Sequence, residues 1–281
     1  MFSATSGHID SKQGGKRYWQ SWPAPQARAA LVVVHGLAEH SGRYGRLASC
    51  LHALNVSTFA LDHRGHGRSD GKPGAIGQFE HLTDDLAHFI GEVVTPLGLP
   101  LFLFGKNIGG TLAIDYLLQQ RCEATGLILS APFIHADFLP PDLALVLDGL
   151  STFLPNLPGY KLSPSLLTQD RQELQQYRED KLILRDAVPV KSIAEILGAM
   201  AGLREHLQSI TTPLLLLQGL ADPLVGAESS QQLHATWRAA DKTYLTYPDL
   251  RHDLLNEHRE GRAAVTKAIC DWLATRLPDA S

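Results

Sequence analysis

The fold is decided by residues 101–111, which read Leu-Phe-Leu-Phe-Gly-Lys-Asn-Ile-Gly-Gly-Thr. The first four of these residues are apolar, as is typical of a strand that is buried on both faces. From residue 109 to residue 120 the apolar side chains recur every three or four positions, which predicts a helix directly after the strand. A buried strand that turns through glycines straight into a helix favours a parallel α/β sheet.

The same alternation of strand and helix extends outward in both directions. Apolar runs of strand length occupy residues 29–34, 56–61, 100–104 and 126–129. Helical periodicity occupies residues 44–54, 81–97 and 109–120. The alternation resumes with strands at 213–218 and 242–247 and helices at 231–239 and 257–277. The sequence therefore predicts an α/β protein with a mostly parallel central sheet flanked by helices.

Residues 133–208 interrupt this alternation. The segment breaks into proline-punctuated amphipathic pieces at 139–154, 170–177 and 190–207, and none of them has the pattern of a strand. We therefore predict an all-helical cap at 133–208, inserted into a core formed by residues 1–132 and 209–281. Apolar side chains at helical spacing are expected to roof an apolar pocket: Leu139, Leu143, Val146, Leu147, Leu150 and Phe153.

The composition narrows the classes of partner. The 281 residues carry 25 Lys and Arg against 29 Asp and Glu, a net charge of −4, so the basic surface of a nucleic-acid binder is not expected. The three cysteines, Cys50, Cys122 and Cys270, are too few and too dispersed for a disulfide framework or a zinc cluster. The lack of a disulfide framework indicates a reducing compartment, and the N-terminus has no apolar signal region, so a cytoplasmic protein is predicted.

Two segments resemble a nucleophile elbow, the G-x-S-x-G turn that holds a reactive side chain at the edge of a sheet. The segment at 67–71 contains Ser69 and matches the letters, but the Lys-Pro-Gly that follows cannot begin a helix, so a loop is predicted there. The segment at 105–110 has the required strand and helix, but Asn107 holds the nucleophile position. Asparagine tolerates the positive φ of such a turn, and the glycines allow close backbone packing: Gly105, Gly109 and Gly110.

Candidates for the other two members of a catalytic triad follow in the order acid, then histidine. Asp222 comes directly after one predicted strand of the second half, and His252 comes shortly after the next. A carboxylate beside an imidazole fixes its tautomer and stabilises the imidazolium that forms during catalysis. The loop after the strand at 29–34 would bring the backbone N–H of Leu37 beside that of Ile108, which predicts an oxyanion hole.

These motifs resemble those of the monoacylglycerol lipase and lysophospholipase branch of the α/β-hydrolase family. The resemblance rests on residues 34–44 and 61–71 and on the segments around Asp222 and His252. Members of that family typically read Gly-His-Ser-Met-Gly-Gly at the elbow, and their serine attacks an ester carbonyl to form an acyl-enzyme. The resemblance implies an α/β-hydrolase fold, no cofactor, acid and base roles for Asp222 and His252, an acyl ester or lipid as ligand, and transient contact of the cap with a lipid surface.

The departure from that pattern is confined to Lys106, Asn107 and Ile108. Because an amide has no ionisable group that His252 could turn into a nucleophile, we predict that hydrolysis is lost or strongly impaired. The resemblance then leaves two functions open, namely an impaired hydrolase and a protein that binds an acyl ligand without turning it over.

Two further alternatives concern the elbow itself. Lys106 either pairs with a carboxylate, for which Glu39 and Asp62 are candidates, or acts as a desolvated nucleophile or base. Deamidation of Asn107 would create an aspartate, the elbow residue of related hydrolases of epoxides and haloalkanes, although a following isoleucine slows spontaneous deamidation. A separate expectation concerns two histidines of the loop after residue 34, which are predicted to be structural rather than metal ligands: His35 and His40.

Overall fold

A central sheet carries the candidate site at one edge. The computed structural model describes residues 4–119, 121, 123–135 and 149–279. Within this part of the chain the sheet has eight strands. They are β1 (Thr5–Asp10), β2 (Lys16–Trp22), β3 (Ala29–Val34), β4 (Val56–Leu61), β5 (Leu101–Lys106), β6 (Gly126–Ser130), β9 (Leu214–Gly219) and β10 (Lys242–Tyr247). Strands are numbered in chain order, and β7 and β8 form a separate short pair that is described below.

The strand order is β1-β2-β4-β3-β5-β6-β9-β10. β2 pairs antiparallel with β1 and with β4, and the remaining pairs are parallel. The carboxyl ends of the parallel strands therefore share one edge of the sheet, where ligands of open α/β sheets bind. The segments that follow β3, β5, β9 and β10 carry the predicted site residues Leu37, Asn107, Asp222 and His252.

Helices cover both faces of the sheet. Side chains of β3 alternate between two apolar clusters, with Val32 and Val34 in one and Leu31 and Val33 in the other. The helices are α1 (Gly45–His52), α2 (Phe79–Phe89), α3 (Ile108–Leu118), α4 (Arg171–Glu179), α5 (Val190–Arg204), α6 (Ala227–Thr236) and α7 (Arg259–Ala274). The first cluster includes residues of α2, α3, α5 and α6, and the second includes residues of α1 and α7.

The mostly parallel α/β sheet flanked by helices is confirmed, and the predicted strands lie within two residues of the observed ones. The sequence analysis missed the hairpin of β1 and β2. β1 reads Thr-Ser-Gly-His-Ile-Asp and is mostly exposed, so it carries no apolar run. An edge strand with one solvated face shows little of the hydrophobic signal that identifies a central strand.

The segment at 133–208, which we call the cap, differs in one respect from the all-helical prediction. α4 and α5 agree with the predicted helices, but β7 (Pro158–Tyr160) and β8 (Val188–Pro189) form a short antiparallel pair, so the segment is not all-helical. Strands of two and three residues are too short to show periodicity. The predicted roof residues Leu139, Leu143, Val146 and Leu147, and most of the predicted helix at 139–154, lie outside the described residues.

No helix in the described ranges is both long and apolar enough to cross a membrane.

Candidate active site

The elbow forms with asparagine at its tip. Asn107 joins β5 to α3 with φ 54° and ψ −123°, a left-handed backbone conformation that few residues other than glycine adopt. The chain can pack this closely because of its glycines. A Cβ atom on Gly109 would lie 2.0 Å from the carbonyl oxygen of Val34, and one on Gly105 would lie 2.6 Å from the carbonyl oxygen of Gly109.

The Asn107 carboxamide bridges the two predicted parts of the site. Its Oδ1 accepts a hydrogen bond from the backbone N–H of Leu37 at 3.4 Å. Its Nδ2 lies 3.0 Å from Nε2 of His252. The backbone N–H of Leu37 can only donate, so the oxygen of the amide must face Leu37 and the nitrogen must face the imidazole. The other predicted oxyanion donor, Ile108, is the first residue of α3, where the backbone N–H lacks an intrahelical partner.

His252 is oriented by Asp222. The distance from Nδ1 of His252 to Oδ2 of Asp222 is 2.8 Å, and both side chains are buried. The other carboxylate oxygen of Asp222 accepts from the backbone N–H groups of Leu224 and Val225 at 2.8 and 3.1 Å. Because the carboxylate accepts the proton of Nδ1, Nε2 of His252 is left as the acceptor that faces Asn107.

Four buried charges lie beside this pair, and we call them the ion cluster: Lys106, Glu39, Asp253 and Arg43. The Nζ atom of Lys106 lies 3.0 Å from a carboxylate oxygen of Glu39 and 2.8 Å from one of Asp253. Arg43 reaches the same two carboxylates, at 3.4 and 2.8 Å. The expected partner Glu39 is therefore present, whereas the other candidate, Asp62, instead accepts from the backbone N–H groups of Ser41 and Arg68.

The ion cluster keeps both of its carboxylates ionised. Burial alone would raise the pKa of Asp253, but the charges of Lys106 and Arg43 outweigh it and lower that pKa to about 2. Burial opposes ionisation of Glu39 in the same way, and the same two cations lower its pKa from the ordinary value. Two cations thus balance two anions in a place where an unpaired charge would be costly.

The ion cluster also joins three loops. Glu39 accepts from the backbone N–H of Gly36 at 2.7 Å, next to the predicted oxyanion donor Leu37. Lys106 precedes Asn107 at the elbow, and Asp253 follows His252. Sequence reasoning missed the part played by Arg43 and Asp253, because nothing in their local pattern distinguishes them from surface charges.

A cavity of about 640 Å³ opens above Asn107 and His252. This volume lies in the range of ordinary small-molecule sites. Of the two described roof residues, Leu150 lines the cavity, whereas Phe153 points outward and is 84% exposed. Most of the lining is apolar and comes from both core and cap: Leu37, Ile108, Phe133, Leu150, Leu157, Leu162, Leu167, Ile193, Ile196, Leu197 and Leu224.

The remaining candidates have local roles. The Ser69 hydroxyl donates to the carbonyl of Asp62 at 2.6 Å and accepts from the N–H of Tyr18 at 2.9 Å, so it fixes its loop. His35 stacks on His63 with ring centroids 3.9 Å apart, and His40 contacts Asp180 at 2.8 Å. In the described part of the chain, no group of side chains has the composition and arrangement of a metal site.

Comparison with known proteins identifies the family of the chain. The family described as serine aminopeptidase, S33, matches residues 25–259. Monoglyceride lipase of Homo sapiens is 32% identical over 270 residues, which cover 94% of this chain and 88% of that protein. The chain belongs to this family of α/β-hydrolases. Family membership places it among hydrolases that act on esters.

Other members of the α/β-hydrolase family match over nearly their whole length. Monoacylglycerol lipase of Mycolicibacterium smegmatis is 28% identical, covering 99% of this chain and 100% of that protein. The crystal structure of Paleococcus ferrophilus monoacylglycerol lipase has a TM-score of 0.82 at 29% identity, covering 92% of this chain and 99% of that chain. A soluble variant of the Saccharomyces cerevisiae monoglyceride lipase, solved in complex with a substrate analogue, has a TM-score of 0.89 at 21% identity, covering 99% of this chain and 97% of that chain, and shares the fold.

Proposed function

We propose that this chain binds single-chain acyl ligands in the cavity above Asn107 and that, as it stands, it hydrolyses their carboxylic esters at close to the uncatalysed rate. The observation that carries the proposal is the contact between the Asn107 carboxamide and His252, with 3.0 Å from Nδ2 to Nε2. A triad hydrolase needs a hydroxyl at this place, because the histidine must remove its proton to generate the nucleophile. An amide offers no such proton transfer and no electron pair of comparable reactivity.

The cavity supports the choice of ligand. Its apolar lining suits an acyl chain, and we assign the carbonyl end of such a ligand to two of its polar groups, Asn107 and His252. The relatives named as monoglyceride lipases act on monoglycerides by name, and we extend that class of ligand to this chain. Under this proposal the same site binds the acyl ligand and fails to hydrolyse it, so the two functions left open by the sequence are compatible.

Lys106 is the competing nucleophile. Its Nζ atom lies between Glu39 and Asp253, and its side chain is only 5% exposed. Both carboxylates accept from this group, so the amine is engaged in two ion pairs and is not free to attack a carbonyl. We therefore assign Lys106 to the support of the loops rather than to the reaction.

We further propose that the cap touches lipid surfaces transiently. Four large apolar side chains between residues 153 and 160 are exposed, and the last two of them also line the cavity: Phe153, Leu154, Leu157 and Tyr160. An apolar group of this kind, next to an apolar cavity, is suited to extraction of a single-chain lipid. Sedimentation with phosphatidylcholine vesicles is expected for the parent chain and weaker for Phe153→Ser; equal binding would contradict the proposal. A cytoplasmic location remains our expectation.

Restoring the hydroxyl tests the main proposal. Asn107→Ser should hydrolyse a monoacylglycerol or a p-nitrophenyl ester, because it would set a hydroxyl beside His252, which Asp222 already contacts at 2.8 Å. Asn107→Ala, which also removes the amide but adds no hydroxyl, should stay at background. Robust turnover by the parent chain would contradict the proposal.

Binding is tested separately. A long-chain alcohol or single-chain lipid at about 100 times its dissociation constant should stabilise the parent chain by about 2.7 kcal/mol and raise its melting temperature accordingly. Ile196→Asp, which places a charge in the cavity wall, should abolish the shift. If such ligands leave the melting temperature unchanged, the cavity does not hold acyl chains.

A further inference from the structure

The Asn107 side chain is itself an amide, and its oxygen and nitrogen contact the groups that would contact the carbonyl oxygen and the leaving group of a substrate. Its carbonyl oxygen accepts from the oxyanion donor Leu37, and its nitrogen faces Nε2 of His252 at 3.0 Å. His252 is in turn held by Asp222 at 2.8 Å. We propose that residue 107 is a self-modification site, at which His252 directs the hydrolysis of the Asn107 carboxamide to aspartate.

The reaction consumes one water molecule as the co-reactant. His252 removes a proton from the water through Nε2 while the water oxygen bonds to Cγ of Asn107, and the carbonyl π electrons move onto Oδ1. The backbone N–H of Leu37 stabilises the charge that develops on Oδ1, and Asp222 stabilises the imidazolium.

The second half of the reaction expels ammonia. The electron pair on Oδ1 re-forms the carbonyl, the Cγ–Nδ2 bond breaks, and His252 returns its proton to Nδ2. The carboxylic acid that results gives its proton to the ammonia, so the products are aspartate and ammonium. No group is oxidised or reduced. The polypeptide chain stays intact.

The cavity supplies the water, because Asn107 and His252 both line it. This geometry differs from ordinary deamidation, in which the next backbone nitrogen attacks Cγ to close a succinimide. Here that nitrogen belongs to Ile108, which is buried and begins α3. Movement of its backbone into the ring geometry would disturb the first turn of the helix, so direct hydrolysis is the favoured route.

The chain contains a matched internal control. Asn55 also has a positive φ, 56° against 54° for Asn107. Both asparagines are half-buried, and each precedes a β-branched residue, Val56 in one case and Ile108 in the other. Asn55 lies at the opposite end of the sheet, before β4, away from His252. A difference in reactivity between the two asparagines therefore does not come from the positive φ or from the β-branched neighbour, which they share, and His252→Gln tests whether it comes from the imidazole.

The experiment is incubation of the purified chain in ¹⁸O-labelled water, followed by peptide mapping with Asn107→Asp as the standard. We expect residue 107 to accumulate α-aspartate carrying one ¹⁸O atom at least about 100-fold faster than Asn55, the scale of general acid–base catalysis. In His252→Gln, residue 107 should convert no faster than Asn55.

Three results would overturn the proposal: equal conversion of residues 107 and 55 in the parent chain, unchanged conversion in folded His252→Gln, or isoaspartate as a main product at residue 107. The comparison within the parent chain needs no variant, so it stands even if His252→Gln fails to fold. It needs no ester or lipid either, and its failure would leave the proposed acyl binding untouched.

Discussion

The two halves of the candidate site preserve different parts of a hydrolase. In the acid–base half, Asp222 and His252 keep both the 2.8 Å contact and the tautomer that proton transfer requires. In the elbow half, Asn107 has the positive φ of a nucleophile elbow, 54°, but under the proposed function its amide stands where hydrolysis would need a hydroxyl. Glycines and packing specify the turn, and one side chain specifies its chemistry. A sequence can therefore keep the turn while its central side chain no longer supports the chemistry.

The largest expected effect comes from removing the acid–base half after the elbow has been repaired. In the Asn107→Ser background, His252→Ala should lower kcat by about a million-fold and Asp222→Asn by about ten-thousand-fold, as in other triad hydrolases. In the parent chain the same substitutions should leave ester turnover at background. Steady-state kinetics with one p-nitrophenyl ester checks both sets.

A loss of ester turnover on the same substitutions in the parent chain would contradict this division of the site into two halves. If His252→Ala lowered a measurable activity of the parent, a nucleophile other than residue 107 would already be working with His252.

The next largest effect concerns the ion cluster that holds the two halves together. Lys106→Met leaves Glu39 and Asp253 buried with one cation fewer, and should lower the free energy of unfolding by about 3–5 kcal/mol. Urea denaturation measures it. The matched control is Lys191→Met, which breaks the partly exposed pair with Glu195 and should cost at most about 1 kcal/mol. Equal costs for the two variants would show that the ion cluster is not what secures the loops.

Acid should destabilise the protein through three buried histidines whose rings lie close together, His35, His63 and His66. Burial lowers the pKa of His35 well below its ordinary value, lowers that of His63 to about 3, and lowers that of His66. Because these pKa values are lower in the folded state, the unfolded chain takes up protons first, and stability is lost as the pH falls through 6.5 towards 3. Each histidine contributes up to about 1.4 kcal/mol per pH unit.

Urea denaturation at a series of pH values below neutrality measures that slope, and His66→Gln should make it shallower. Glu39 and Asp253, whose pKa values are also lowered, add to the loss only at more acidic pH. A free energy of unfolding that did not change between about pH 6.5 and pH 5 would contradict the assignment of neutral, buried imidazoles.

The smallest effect is expected at the serine that matches the motif by its letters. Ser69→Ala removes one hydrogen bond within its loop and one from the backbone of Tyr18 in β2, and should cost about 1–2 kcal/mol of stability. Ester turnover of Asn107→Ser should be unchanged by it. A loss of turnover greater than the loss of folded protein would mean that Ser69 takes part in the reaction.

The sequence could predict most of the core because buried parallel strands are almost continuously apolar, as β3 and β5 are. Strand ends then indicated where Asn107, Asp222 and His252 lie, since parallel strands present their carboxyl ends at one edge. The sequence offered Glu39 as a partner for Lys106, but the other two members of the ion cluster, Asp253 and Arg43, could not be predicted in the same way. Lys106 and Asp253 are far apart in sequence and meet only because the end of β5 and the loop after β10 converge.

The short pair of β7 and β8 escaped prediction for a different reason. Each strand is stabilised by its contact with the other and with the cap, and neither has a pattern of its own. Local patterns therefore identified the elements with strong periodicity, while pairings between distant segments required the fold.

The central claim, that one missing hydroxyl separates this chain from a working hydrolase, is tested most directly by a fluorophosphonate, which reacts covalently with an activated serine. Peptide mapping should find no label on residue 107 of the parent chain, because an amide cannot displace fluoride. It should find label on residue 107 of Asn107→Ser and none there in Asn107→Ser with His252→Ala. A parent chain that hydrolyses esters and carries the label on Lys106 or Ser69 would contradict the account.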